Sequence, residues 1–395
     1  MKKNIIFSFL GVITVLFITA NAYATNGMRM IGFGPVQDSM GGVSVGLPLD
    51  AASILTNPAG MSVLPGRIDF GASYFKPSVD YKATGGANGA TIDSDRGGSP
   101  VPAFGLIIPL GEKFRFGIGA YGVAGMGVDY PANLYGSVTY TSYSQMRFAP
   151  ALSYKINDIV SVGVAANIMY ATMEFDAASA LKQQPHMGAS SFGYGATIGV
   201  LVKPVDFLQI GLAYETKSFF QDFSFNTAAG VDKIEFDQPE VATIGLGIKP
   251  IKDLVIGFDV EWINWSETNG QNLPRYTANA SGAMPWNLDW SDQFVYKLGV
   301  QYTVIPMVVL RAGYNYGKMP LDSNRAFENI AFPAVSEHHF TAGIGINLTD
   351  RFTINIGGMY SPTAKLTGSN TAQGITSYET EMSQYSLDMG VTYTF

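Results

Sequence analysis

Tyr385-Ser-Leu-Asp-Met-Gly-Val-Thr-Tyr-Thr-Phe395 alternates down to an aromatic carboxyl terminus. Leu387, Met389, Val391, Tyr393 and Phe395 take one face; Asp388, Gly390, Thr392 and Thr394 take the other. Side chains of a strand point to opposite faces in turn, so this segment suits a wall with hydrocarbon on one side and water on the other. A soluble β-sandwich can end on similar alternation, and the rest of the chain has to decide.

The amino terminus supports the membrane reading. Lys2 and Lys3 precede an apolar run from Ile5 to Ala20, and Ala22-Tyr23-Ala24 is a small-x-small cleavage site. Residues 1–24 are expected to be a secretory signal peptide, with maturation at Thr25. Losing the two lysines takes the formal charge from −7 to about −9, and such an acidic balance argues against nucleic acid as a partner. The chain has no cysteine, which excludes disulfides and thiolate metal sites.

Length alone would allow two soluble domains. Composition argues otherwise: charged residues are only 14%, aromatics reach 13%, and 45 glycines are spread throughout. No stretch after Ala24 has the ~20 apolar residues a membrane helix needs. A closed barrel is the other structure that satisfies its backbone in lipid.

Residues 25–67 do not alternate. They read as a Gly/Ala-rich lobe centred on Leu55-Thr-Asn-Pro-Ala-Gly-Met61, with short helices around 50–55 ended by Pro58. From Ile68 the period is two, with about fourteen candidate strands near 68–80, 101–110, 113–123, 138–154, 159–174, 191–203, 206–217, 239–249, 252–265, 292–304, 307–316, 337–348, 351–361 and 384–395. Tight turns at 111–112, 155–158, 203–206, 249–252, 305–306 and 349–350 alternate with long loops near 81–100, 124–137, 175–190, 218–238, 266–291, 317–336 and 362–383. An even strand count with short turns on one side and long loops on the other is the outer-membrane pattern. The expected fold is an all-β, 14-stranded antiparallel transmembrane barrel over 68–395.

Charge placement refines the faces. Arg115, Arg147, Lys297 and Arg311 oppose apolar residues of their own strands. Since a lipid-facing cation at mid-membrane costs ~2–4 kcal/mol, all four are expected to point inward. There they either receive an anionic headgroup or bridge the inward Asp259, Glu261 and Asp388. Lys76 breaks the scheme: it falls on the outward parity, and so sits at headgroup level unless Pro77 shifts the register. Gly117, Gly119, Gly122, Gly125 and Gly127 crowd the third strand, which predicts a bend there or space for a plug.

These residues resemble the long-chain fatty acid and hydrocarbon transporters of the Gram-negative outer membrane, FadL/TodX type. Gly41-Gly-Val-Ser-Val45 leading to Asn57-Pro58-Ala59 resembles the family's N-terminal hatch with its Asn-Pro-Ala signature. Arg147-Phe-Ala-Pro-Ala-Leu-Ser-Tyr-Lys-Ile-Asn-Asp158, followed by Ser161-Val-Gly-Val164, resembles its central hairpin. Tyr296-Lys-Leu-Gly-Val-Gln-Tyr302, Leu310-Arg-Ala-Gly-Tyr314 and Pro320 resemble its late hairpin. The tripeptide alone is weak; its place in a pre-barrel lobe with both hairpins in order makes the match specific over essentially the whole mature chain.

The resemblance implies a monomeric barrel whose lumen is closed by a hatch over 25–67. Ligands would be captured by hydrophobic loops, bound in the lumen, and released through a lateral gap where the third strand bends. It puts Asn57, Pro58 and Ala59 beside that bend, and Gly117, Gly119, Gly122 and Gly125 within it. Phe223, Phe225, Trp286 and Leu288 are the expected capture residues, whereas Phe219 and Trp290 fit an interfacial girdle. Phe395 is the expected signal for the barrel-assembly machinery. Outer-membrane lipid and lipopolysaccharide are the expected surroundings, and the expected ligand is a long-chain fatty acid or another hydrophobic small molecule.

Other functions fit less well. A general porin would want an open, charged lumen instead of a pre-barrel lobe. A barrel enzyme needs a nucleophile with a base in reach, and histidine occurs only at His186, His338 and His339, with Ser336 nearby but no serine motif. Adjacent histidines of a strand face opposite ways, which does not suit a metal. No cofactor is expected. An adhesin would leave the lobe unexplained.

Overall fold

The structure, a computed structural model, describes residues 26–84, 88–131, 139–176, 187–227, 230–278, 282–283, 287–326, 328–370 and 375–395. The proposed signal peptide, His186 and Trp286 lie outside these residues.

Fourteen strands form the wall. They are β1 (Arg67–Thr84), β2 (Ser99–Leu110), β3 (Phe114–Tyr130), β4 (Thr139–Lys155), β5 (Val160–Asp176), β6 (Met187–Val205) and β7 (Leu208–Glu215). Then follow β8 (Val241–Ile251), β9 (Leu254–Ile263), β10 (Gln293–Ile305), β11 (Val308–Gly317), β12 (His338–Asn347), β13 (Phe352–Asn370) and β14 (Ile375–Thr394). Each pairs antiparallel with its neighbours, and β1 pairs with both β2 and β14, which closes the ring. The seam runs from Arg67 opposite Thr394 to Thr84 opposite Ser377. Phe395 donates its N–H to the Gly66 carbonyl at 2.9 Å just past the end of that ladder. Closure gives every strand of the wall a neighbour on both sides, as lipid requires.

The alternation in the sequence becomes the two faces of the wall. Leu298, Leu310, Leu387 and Met389 are exposed outward, while Asp259, Lys297, Asn355 and Asp388 are buried inward. Tyr74, Tyr296, Tyr360 and Tyr385 form part of an outer aromatic belt at one end, and Phe114, Phe207 and Phe395 mark the other. The register settles Lys76: it faces Tyr385, and Pro77 faces Gln384 with no shift. Lys76 therefore stays on the outward face, at the level of the belt.

Beyond the belt the polarity inverts; β14 keeps its parity, while β13 changes its own at a register shift between Ser361 and Ala364. Tyr378 and Met382 are buried inward, while Lys365 on the outer face pairs with Glu379 at 3.1 Å and with Glu381. The expected loop at 362–383 is thus mostly strand, because β13 and β14 continue upward as a hairpin. Charge on the outer face masked the continuing pattern. Likewise the expected loop 81–100 contains a strand, Asn88–Asp93, that pairs with β1.

Residues 26–66 lie inside the ring. They carry two short helices, α1 (Pro35–Ser39) and α2 (Ser53–Thr56), and a 3-10 turn over Pro58–Val63. Nearly all are buried against inward faces of the strands. The glycines of the wall admit them: a Cβ on Gly117 would meet Met61 at 2.5 Å, and one on Gly119 would meet Leu55 at 2.7 Å. Above this lobe a continuous apolar cluster fills the outer half of the ring, from Phe75 and Tyr143 through Phe223 and Phe236 to Trp290 and Phe332.

Candidate lumen site and wall bend

The lobe is held by backbone groups that would otherwise be orphaned. Asp259 Oδ2 accepts the N–H groups of Ser44 at 2.8 Å and Val45 at 2.9 Å, and its Oδ1 accepts Gly46 N–H at 3.4 Å. The Asn57 carboxamide donates to the carbonyls of Val45 (2.9 Å) and of Val200 on β6 (3.1 Å), and its oxygen caps Ala59 N–H at 3.2 Å. One small amide thus ties lobe to wall while starting the following turn. Gly163 and Gly199 make this approach possible, since a Cβ on either would strike Pro58 or Asn57. Asn57-Pro58-Ala59 is therefore seated on β4, β5 and β6, not on the bend of β3 as the resemblance implied.

The bend lies where the lobe begins. The β2–β3 ladder runs from Leu110–Phe114 to Ala103–Tyr121 and stops, while β3 continues to Tyr130 on β4 with a register shift between Gly122 and Ala124. A one-residue bulge bends its strand and interrupts pairing. The freed edge of β3 is taken by the lobe: Met30 N–H donates to Val123 O at 3.1 Å, and Gly125 N–H to Met28 O at 3.0 Å. On the facing edge, Pro100 and Pro102 of β2 lack N–H groups, as befits strand residues beside an opened ladder. Of the four glycines expected at the bend, Gly122 and Gly125 flank it; Gly117 and Gly119 lie under α2 and the turn after it.

The four lumen cations divide. Arg115 stands beside the short turn and donates to the carbonyls of Gly111 (3.2 Å) and Phe114 (3.0 Å), so it belongs to the rim and not to the cationic lumen lining expected for it. Arg311 is half-buried and donates to Gln301 at 2.7 Å and Asn355 at 2.9 Å. Lys297 pairs with Glu261 at 3.0 Å and reaches the Ile31 carbonyl at 3.4 Å. Arg147, 1% exposed, pairs with Glu215, while its Nε and Nη1 find no acceptor among the described residues. Its partners across the ladders are Tyr121 and Met169, both buried in the apolar cluster.

Two members of this site were missed in the sequence. Glu215 also accepts from Arg29 of the lobe, at 3.3 and 3.0 Å. Arg29, Glu215, Glu261 and Lys297 together line a cavity of about 30 Å³. Glu215 shares the inward parity of Gly211 and Ala213, so face parity could have found it. Arg29 lies in an aperiodic segment and gave no signal.

The expected capture residues also sit differently. Phe223, Phe225 and Leu288 are fully buried in the apolar cluster instead of displayed to solvent. Trp290 is buried too, donating to Asn329 at 2.7 Å and packing edge-on against Trp265, whereas Phe219 is half exposed as a girdle residue should be. These loops fold over the ring, and their apolar side chains turn down.

A closed 14-stranded antiparallel barrel with an apolar outer face defines a membrane-spanning β-barrel protein. The model of the outer membrane protein transport protein family (OMPP1/FadL/TodX) matches residues 15–395, and the chain belongs to that family of Gram-negative outer-membrane transporters of hydrophobic compounds. No curated protein matches it. Among solved structures it is similar to the P. putida toluene transporter TodX, with a TM-score of 0.76 and 17% identity over 92% of this chain and 99% of that one. A Pseudomonas aeruginosa FadL homologue gives 0.74 and 17% over 93% and 100%. The Ralstonia pickettii toluene transporter TbuX gives 0.68 and 17% over 92% and 99%. At these identities the likeness speaks for the fold.

Proposed function

We propose that the protein carries long-chain fatty acids passively across the outer membrane. The ligand enters the apolar cluster under the loops and places its carboxylate on Arg147. Rearrangement of residues 26–66, acting as a hatch, then frees it towards the open ladder between β2 and β3. The observation that carries this reading is the buried Arg147 guanidinium, with two unsatisfied nitrogens beside Tyr121 and Met169. Burying a polar group without a partner costs free energy, which an arriving carboxylate would relieve.

A second reading is uptake of aromatic or alkane hydrocarbons. It is supported by the aromatic cluster itself, with Tyr143 and Phe236 rings 5.0 Å apart, and by similarity to toluene transporters. A general porin fits poorly, because the lobe occupies the space a hydrated solute would use. Replacing Arg147, Lys297 and Arg311 by alanine in turn and comparing oleate with toluene uptake separates the readings. Loss of oleate uptake alone at Arg147 supports the fatty acid. Equal uptake of both by all three variants sinks the headgroup role, and size-dependent sugar passage in liposome swelling without ligand binding favours the porin.

A further inference from the structure

We propose that the lipid-facing side of the barrel carries a site for phosphatidylethanolamine, with an acyl chain laid over Ala242 and the primary ammonium on Glu240. The site lies outside the ring and is independent of what the lumen carries.

The outer wall of a barrel is convex, and a hollow in it needs a cause. Across β7, β8, β9 and β10 one outward row reads Tyr214, Ala242, Trp262 and Phe294, each opposite the next in the ladders. The methyl group of Ala242 stands between two large ring systems, which leaves a notch. Leu212, Ile244 and Val260 form the row below it. Together these residues line a hollow of about 490 Å³ on the face turned to lipid. Its surroundings are hydrocarbon, so the occupant that fits is an acyl chain of a membrane lipid.

The mouth selects which lipid. Tyr and Trp rings of membrane proteins sit at headgroup level, and Glu240 stands just beyond Tyr214 and Trp262, immediately before β8. The Tyr214 hydroxyl donates to one Glu240 oxygen, and the Asn264 amide donates to the other at 2.9 Å. Those two bonds hold the carboxyl below its usual range, so it stays ionised. Glu267, which accepts from Asn264 at 3.1 Å, and Asp292 add to the negative field. Lys217, two residues beyond β7, pairs with Asp237 at 3.2 Å, and the two cancel.

Three carboxylates therefore face the headgroup level. They repel a lipid whose only charge is its phosphate. A primary ammonium supplies the countercharge and three N–H donors, whereas choline has the charge without a donor. From the midplane outward such a lipid runs chain, phosphate, ammonium. The wall runs hollow, aromatic rings, carboxylates, in the matching order.

Lipids brominated in their acyl chains quench tryptophan on contact, and Trp262 lines the hollow. Trp265 and Trp290 are buried inside the ring, and Trp262→Phe supplies the background from all the others. In phosphatidylcholine vesicles, brominated phosphatidylethanolamine should quench Trp262 with an apparent affinity about threefold above that of brominated phosphatidylcholine or phosphatidylglycerol. Glu240→Gln should bring the three lipids level, and Ala242→Phe, which fills the notch, should weaken quenching by all of them. Equal quenching by the three lipids in the unsubstituted protein means ordinary boundary lipid and overturns the proposal. Stronger quenching by phosphatidylglycerol overturns it in favour of an anionic lipid, and a preference that survives Glu240→Gln overturns the role of the carboxylate. The comparison of lipids on the unsubstituted protein stands even where a variant fails to fold.

Discussion

Asp259 of β9 accepts the backbone N–H of Val45 at 2.9 Å through the same oxygen that accepts Ser44. A carboxylate on the wall thus completes a loop of the lobe that has no secondary structure of its own. Neighbouring N–H groups converging on an anion form a nest, and charge-assisted bonds of this kind contribute about 1.5–3 kcal/mol each. Asp259→Ala should leave three buried donors unpaired and loosen the lobe without opening the barrel. Faster amide exchange at 44–46 with unchanged heat-dependent gel mobility is the expected outcome; unchanged exchange would show that water replaces the carboxylate.

Asn57 gives a second handle. Asn57→Ala removes the bonds to Val45 and Val200 and the cap on Ala59, and a lost cap of this kind costs about 1 kcal/mol. Uptake of oleate should change while the barrel assembles at wild-type level. Asn57→Asp keeps the cap but loses the donor, so it should behave like alanine in uptake and like asparagine in local protection of 58–63.

Asp50 makes the lobe sensitive to pH. Burial first, then the Asp69 carboxylate, push its acid group up to about 7, against the opposing pull of Arg67, the Gln37 amide and Arg311. A carboxyl raised on folding favours the folded lobe below the ordinary carboxylate range, and that contribution is lost as pH rises through about 7. Protection factors at 50–56, with the base-catalysed intrinsic rate divided out, should therefore be lower at pH 8 than at pH 6. Asp50→Asn should abolish the difference, and a difference that survives it must come from another group.

The lipid face can be tested at two heights. Leu298 is exposed in the middle of β10, and Leu298→Lys should lower stability in lipid vesicles by ~2–4 kcal/mol. Lys76→Leu, at the level of the Tyr385 belt, should change it by under about 1 kcal/mol. Urea unfolding in vesicles reads both, and equal effects would mean the belt is misplaced.

The wall was legible in the sequence because hydrocarbon and water impose a strict alternation on it. All fourteen strands follow in order, and parity put Arg147, Lys297, Arg311 and Asp259 on the inner face. Parity does not give height, which is why Arg115 turned out to belong to the rim. Nor does it reach aperiodic segments, so Arg29 and the seat of Asn57 needed coordinates. Aromatic residues in a loop do not say which way they point, and Phe223, Phe225 and Leu288 point down. Where β13 and β14 leave the membrane, charge moves to the outside and apolar residues move in, and a pattern tuned to lipid looks as if it ends.

That inversion bears on where a hydrophobic solute would first leave water. Tyr378 and Met382 continue, above the membrane, the apolar interior that Phe75 and Val79 begin below them. On the proposed function, an apolar solute would meet this buried apolar surface above the lipid, before it reached the membrane.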